Sequence, residues 1–128
     1  MKVLLDTHIL LWALADSPML SAKARSIVGD ESNECFYSPV SLTEISIKHR
    51  LHPRNMVLLA SEARAAFLTA GFRELPFLSR HAARMDSLPP HHADPFDRML
   101  IAQAAEEEMK LVSHDDMVAL YGDTVTHV

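Results

Sequence analysis

Short apolar runs recur along the chain at intervals too long for hairpins: KVLL at 2–5, CFYS at 35–38, FREL at 72–75 and KLVS at 110–113, with TVTHV at 124–128 as a candidate terminal strand. Each is strand-like, from its β-branched, aromatic or wholly apolar character. Between them the spacing of apolar residues turns helical. It predicts a short helix over 9–14, a second over 21–29 with Ser21 as N-cap and Gly29 at its end, and a third from Ser41 that stops before Pro53. One or two helices fill 55–70 and close at Gly71. Another spans 79–87, a long one runs from Pro95 to about Met109, and a short one lies near 117–120. Strands that alternate with helices imply parallel pairing, because parallel neighbours need long crossover connections. The expected fold class is α/β, with a central parallel sheet flanked by helices.

Composition narrows this only a little. A chain of 128 residues, 48% hydrophobic and 23% charged, has the length and balance of one ordinary domain covering 1–128. A lone cysteine, Cys35, excludes an internal disulfide, and no paired-cysteine zinc spacing exists. The N-terminal stretch has the outline of a signal peptide, but Asp6 and His8 interrupt it. No run approaches the roughly 18–20 apolar residues of a membrane span, so the expectation is a cytoplasmic protein. The net charge of −5 runs against a nucleic-acid partner, yet its distribution does not: residues 48–98 hold eight of the twelve Lys and Arg against five acids.

The acids carry the chemistry. In an open α/β sheet, ligands bind beyond the carboxyl ends of the strands, where helix N-termini also point. Asp6 directly follows KVLL, and Asp115 comes two residues after KLV. Glu44 lies about a turn into the helix after CFYS, and Asp97 a turn into the helix before KLVS. Each has a structural alternative. Asp6 and Asp115 suit helix capping, and Ser41-Leu42-Thr43-Glu44 matches the capping box S-x-x-E. Asp97 is harder to explain so, because Asp94 is already the natural cap before Pro95, and Asp97 shares a side with Leu100, Ile101 and Ala104.

Acids sharing one edge repel unless a cation neutralises them. His91-His92 and His49-x-x-His52 also have metal-binding potential, but scattered histidines are more often surface or capping residues. All-oxygen ligation favours Mg²⁺ or Mn²⁺. Such an ion binds phosphate oxygens and activates water, which points to phosphodiester hydrolysis. The chain has neither G-x-S-x-G nor a phosphate-cradling glycine loop. His114-Asp115 matches the doublet of HD-type phosphohydrolases, but it follows a strand in a chain that is not all-helical. A receiver-like phosphoacceptor site lacks its lysine, since KLVS leads into His-Asp-Asp.

Four segments, VLLDTHILLWAL at 3–14, SPVSLTEISIK at 38–48, LPPHHADPFDRMLIAQA at 88–104 and LVSHD at 111–115, resemble in order and spacing the PIN-domain proteins of the VapC toxin type. That resemblance implies a PIN-like three-layer domain and a Mg²⁺- or Mn²⁺-dependent endoribonuclease acting on RNA. It places the family's four acids on Asp6, Glu44, Asp97 and Asp115, with supporting hydroxyls at Thr7 and Ser113 and the helix cap at Asp94. Asp6 and Asp97 would hold the metal, Asp115 would complete the site, and Glu44 would orient water or share a second ion. It also implies a cognate antitoxin and a homodimer, while the lack of a long apolar run already sets a membrane partner aside. Lys48, Arg50, Arg54 and Arg98 are candidate phosphate contacts, with ordinary surface charges as the alternative. The rival function is a catalytically silent module that only binds RNA or a protein.

Overall fold

Val3, Leu4 and Leu5 have no solvent exposure, as expected of a strand covered on both faces. In the computed structural model, which describes residues 1–128, they belong to β1 (Lys2–Leu5), the centre of a five-stranded sheet. The chain continues through α1 (Thr7–Leu14), α2 (Ala22–Gly29), β2 (Glu34–Tyr37), α3 (Pro39–Leu51), α4 (Ala60–Thr69), β3 (Arg73–Glu74) and α5 (Ser79–Arg84). It then forms α6 (Pro95–Glu106), β4 (Lys110–Ser113), α7 (Asp116–Ala119) and β5 (Val125–His127). Every ladder is parallel, in the order β3-β2-β1-β4-β5. This is the α/β layering the sequence predicts.

Strand periodicity sorts the core into two layers. Val3, Leu5, Cys35, Tyr37 and Val112 meet Ile9 and Leu10 of α1, Ala24 of α2, and Ala63 and Phe67 of α4. Leu4, Phe36 and Leu111 meet Leu100, Ile101 and Ala104 of α6 and Val118 of α7. Each fully buried leucine or isoleucine contributes about 1.5–3 kcal/mol. The two layers fix the helices, and so fix where the helix N-termini point.

Several boundaries differ from expectation for identifiable reasons. α3 begins at Pro39, not Ser41, because the Ser38 hydroxyl accepts the Val40 N–H at 3.1 Å and proline suits the first helical position. α4 begins at Ala60, since 52–56 is a turn in which the His52 carbonyl accepts from Asn55 and Met56. It ends as expected at Gly71, whose φ of 90° lets Gly71 N–H reach Leu68 O and Phe72 N–H reach Phe67 O. α6 stops at Glu106, short of Met109, because Glu108 turns left-handed with φ of 55° and carries Met109 back under the helix. Gly29 is not left-handed; the extended Asp30 ends α2. FREL keeps only two residues of strand, and 79–87 divides into α5 and a 3-10 turn over Met85–Ser87. No helix is long and apolar enough to cross a membrane.

The strand order matters for function. From β1 the chain steps outward to β2 and β3, then returns past β1 to build β4 and β5 on the other side. The crevice between the carboxyl ends of β1 and β4 is therefore the topological switch point.

Candidate active site

Asp6 leaves β1 at that crevice and caps α1, its Oδ1 accepting the Ile9 N–H at 3.0 Å. Asp115 leaves β4 and caps α7, its Oδ1 accepting the N–H groups of Met117 at 2.7 Å and Val118 at 3.1 Å. Capping and cleft-lining are thus not alternatives. One oxygen of each carboxylate serves the helix, and the residue still borders the cleft.

Glu44 enters from α3. With the helix starting at Pro39, Ser41 is not its cap, and the capping-box reading of Glu44 is corrected. Its Oε1 accepts from the Thr7 hydroxyl at 2.6 Å and its Oε2 pairs with Lys48 Nζ at 2.5 Å, while the Thr7 and Ser41 hydroxyls lie 2.9 Å apart. All three of Thr7, Ser41 and Glu44 are buried. Asp97 enters from the first turn of α6, behind the Asp94 cap, which accepts the Phe96 and Asp97 N–H groups. Its Oδ2 stands 2.8 Å from His92 Nε2.

These side chains share a cleft of about 290 Å³ whose lining includes five carboxylates, those of Asp6, Glu44, Asp94, Asp97 and Asp115, against one ammonium, Lys48. The acids descend in depth, from an exposed Asp115 through a half-buried Asp97 to a buried Asp6 and Glu44. Ser113 is buried at the end of β4, its hydroxyl accepting the Asp115 N–H at 3.1 Å.

The crowding shows in the acidities. Burial pushes Asp97 up to about 6; the His92 hydrogen bond works against this, and the charges of Asp94, Asp6 and Glu44 add to it. Burial also raises Asp6, opposed by hydrogen bonds from Ser113 and the Ile9 amide and by His8, and reinforced by Glu44. For Lys48, burial works against the charge, but Glu44, Asp94 and Asp97 outweigh it and hold the ammonium above its ordinary range.

The donor set fits a hard divalent ion. One ligand atom each from His92, Asp97 and Asp115 lie within 4.8 Å of one another, and Asp6 and Glu44 line the same cleft deeper in. Carboxylate oxygens suit Mg²⁺, and an added imidazole nitrogen shifts the balance toward Mn²⁺.

Of the expected basic residues, only Lys48 lines the cleft. Arg50 and Arg54 are exposed outside it. Arg98 is committed elsewhere: its guanidinium donates to Pro89 O at 3.1 Å and to the Tyr121 hydroxyl at 2.9 Å, fastening the loop ahead of α6. His8 and Trp12 line the cleft without having been picked out as site residues, and so do His92 and His114, which the sequence reading weighed and set aside. For His92, beside Asp97 and Asp115, the surface reading is corrected. For Trp12 a signal was available, since it is four residues from His8 and so on the same side of α1. For His92 the signal was its place just before a capping aspartate.

A family model described as PIN domain matches residues 3–122. No curated protein matches the sequence. Among solved structures, the chain is similar to VapBC2 from Rickettsia felis bound to a DNA fragment from their promoter, with 14% identity, a TM-score of 0.72, and coverage of 99% of this chain and 98% of that one. It is also similar to a toxin-antitoxin complex from Klebsiella pneumoniae, at 15% identity and a TM-score of 0.65, covering 97% of this chain and 95% of that one. FitAcB from Neisseria gonorrhoeae is similar too, at 17% identity and a TM-score of 0.65, covering 98% and 96%. At such identities the likeness is one of fold.

Proposed function

The chain belongs to the PIN-domain family, and on that premise we propose that it is a divalent-metal-dependent endoribonuclease, the toxin of a toxin-antitoxin pair. The observation that carries this reading is the convergence of five carboxylates, from β1–α1, α3, α6 and β4–α7, on one cleft with a single lysine. A fold gains nothing from such repulsion, whereas a site for a cation requires it.

Asp6, Asp97 and Asp115 would hold Mg²⁺ or Mn²⁺, with His92 offering an imidazole nitrogen from the rim. When bound, such an ion neutralises the carboxylates, polarises a phosphodiester and lowers the pKa of water. The protein's own part is positional. Thr7 and Lys48 hold the Glu44 carboxylate in one orientation, so that it can accept a hydrogen bond from the attacking water and align it opposite the leaving oxygen. Ser113 steadies Asp6 and the backbone of Asp115. Lys48, which lines the cleft, would contact a substrate phosphate, and the exposed Arg50 and Arg54 would offer contacts to phosphates outside it. By the family resemblance, water displaces the 3′ oxygen and leaves a 5′-phosphate, unlike cleavage by the 2′-hydroxyl.

An antitoxin partner is proposed from the structural neighbours, one of which is itself a toxin-antitoxin complex; a homodimer is proposed from the family resemblance. The reading is tested by incubating structured RNAs with wild-type protein and with Asp97→Asn in Mg²⁺, Mn²⁺ or a chelator. Metal-dependent cleavage with 5′-phosphate ends, lost in the variant, is expected. Absence of cleavage by wild type on every RNA, or equal cleavage by the variant, overturns it.

A further inference from the structure

Beside the acids the cleft has an aromatic wall that the hydrolytic machinery does not use. His8 and Trp12 project from one face of α1 with ring centroids 5.5 Å apart. Trp12 meets His114 edge-on at 5.7 Å and an interplanar angle of 71°, and His114 stacks on His127 of β5 at 6.1 Å and 28°. His8, Trp12 and His114 all line the acidic cleft. The three histidines are exposed and Trp12 is half-buried, its inner edge packed on the α1 layer of the core.

Two of the rings are also fixed in place. His114 Nδ1 lies 2.5 Å from Val128 O, and His127 Nε2 lies 3.2 Å both from His114 O and from Asp116 Oδ1. Exposed rings add little to folding, and rings braced by backbone carbonyls have lost the freedom that solvated histidines keep. What such a surface offers is flat, polarisable area at the edge of a site built for phosphate.

We propose that His8, Trp12, His114 and His127 form a nucleobase-stacking subsite that takes one unpaired base of a single-stranded RNA whose phosphate occupies the acidic cleft. The inference rests on the nuclease reading for the class of ligand. Stacking on aromatic faces is tolerant of base identity, because every base has a π face. A base paired within a duplex cannot reach the wall without being extruded. The wall therefore selects unpaired segments rather than a sequence, and the cut falls in loops and ends of structured RNA.

Trp12 is the only tryptophan of the chain, so it reports its own occupancy. In Mg²⁺, the fluorescence of the wild-type protein is titrated with a single-stranded hexanucleotide carrying nuclease-resistant phosphorothioate linkages, and with an abasic strand of the same length. Saturable quenching by the first, with binding weakened about fivefold to a hundredfold for the abasic strand, is expected from the contribution of one stacked base. Binding of the same hexanucleotide by anisotropy should fall by a similar factor in Trp12→Ala and be largely kept in Trp12→Phe, which retains a ring. Equal affinity for the two strands, no binding of either, or equal binding by Trp12→Ala and wild type overturns the subsite. The two readings fail separately. Base-dependent quenching without RNA cleavage removes the nuclease and leaves the subsite, whereas cleavage with base-independent binding removes only the subsite.

Discussion

The Nε2 of His92 and the Oδ2 of Asp97 are 2.8 Å apart across the turn that starts α6, with both side chains about one-fifth exposed. The imidazole is the hydrogen-bond partner of an acid that burial and neighbouring carboxylates hold above its ordinary range, and its nitrogen lies with the Asp97 and Asp115 oxygens in a group that could hold a metal. On the proposed function, proton, imidazole and divalent ion would compete for one carboxylate.

The first prediction concerns pH. In the folded protein the Asp97 carboxyl titrates at about 6 against an ordinary value of 3.8, so the folded state binds its proton more tightly than the unfolded chain does. The stability this proton confers is present in full below the ordinary value and is lost as pH rises through about 6. In chelator, Asp97→Asn should therefore gain on wild type as pH climbs from 4 to 7.5, by an amount on the order of 3 kcal/mol at most. Denaturant unfolding at several pH values measures the difference. A constant offset between the two proteins would show that Asp97 is not crowded.

Metal binding should reverse the order. Mn²⁺ should raise the Tm of wild type and leave that of Asp97→Asn nearly unchanged, because the variant loses a ligand together with the repulsion. His92→Ala should weaken Mn²⁺ roughly tenfold while changing Mg²⁺ much less, since imidazole is a better donor to the softer ion. Calorimetric titration of both ions distinguishes this from equal losses, which would assign His92 a merely structural part.

Thr7 tests the support of Glu44. Thr7→Val keeps the shape but leaves Glu44 Oε1 and the Ser41 hydroxyl without their shared partner in a buried setting. The expected cost is about 1–3 kcal/mol of stability. RNA cleavage should fall in kcat, with little change in KM. A variant of unchanged stability and unchanged kcat would detach Thr7 from the site.

One prediction lies far from the chemistry. Glu108 holds φ at 55° to close α6, a conformation that costs a side chain about 1–2 kcal/mol in sterics that glycine avoids. Glycine's greater freedom in the unfolded chain offsets part of that relief, so Glu108→Gly should stabilise the protein by about 1 kcal/mol at most in thermal or denaturant unfolding. A destabilised variant would mean that the glutamate side chain makes a compensating contact.

Much of this is legible in the sequence, for specific physical reasons. Asp6 and Asp115 stand immediately beyond strands, so the rule for open sheets puts them at one edge whatever else they do. Asp97 was legible because Asp94 already filled the capping role. What escaped was set by three-dimensional approach rather than by period. His92 reaches Asp97 across a stiff turn through Pro95, at a separation of five residues that matches neither helix nor strand. Arg98 neighbours Asp97 in sequence, yet one residue turns about 100° around a helix, and it faces loop carbonyls instead of the cleft. Lys48, by contrast, is one full turn from Glu44 and so shares its face. The aromatic wall joins α1 to the ends of β4 and β5, a contact between the two ends of the chain that no local pattern records.

The central claim is that these carboxylates exist to hold a divalent ion, and the most direct test is an anomalous difference map from crystals grown with Mn²⁺. A single strong manganese peak within coordinating distance of Asp97 and Asp115, bordered by Asp6 and absent from Asp97→Asn crystals, is the predicted result. A cleft without manganese at saturating concentration, or manganese bound only elsewhere on the surface, would contradict the account.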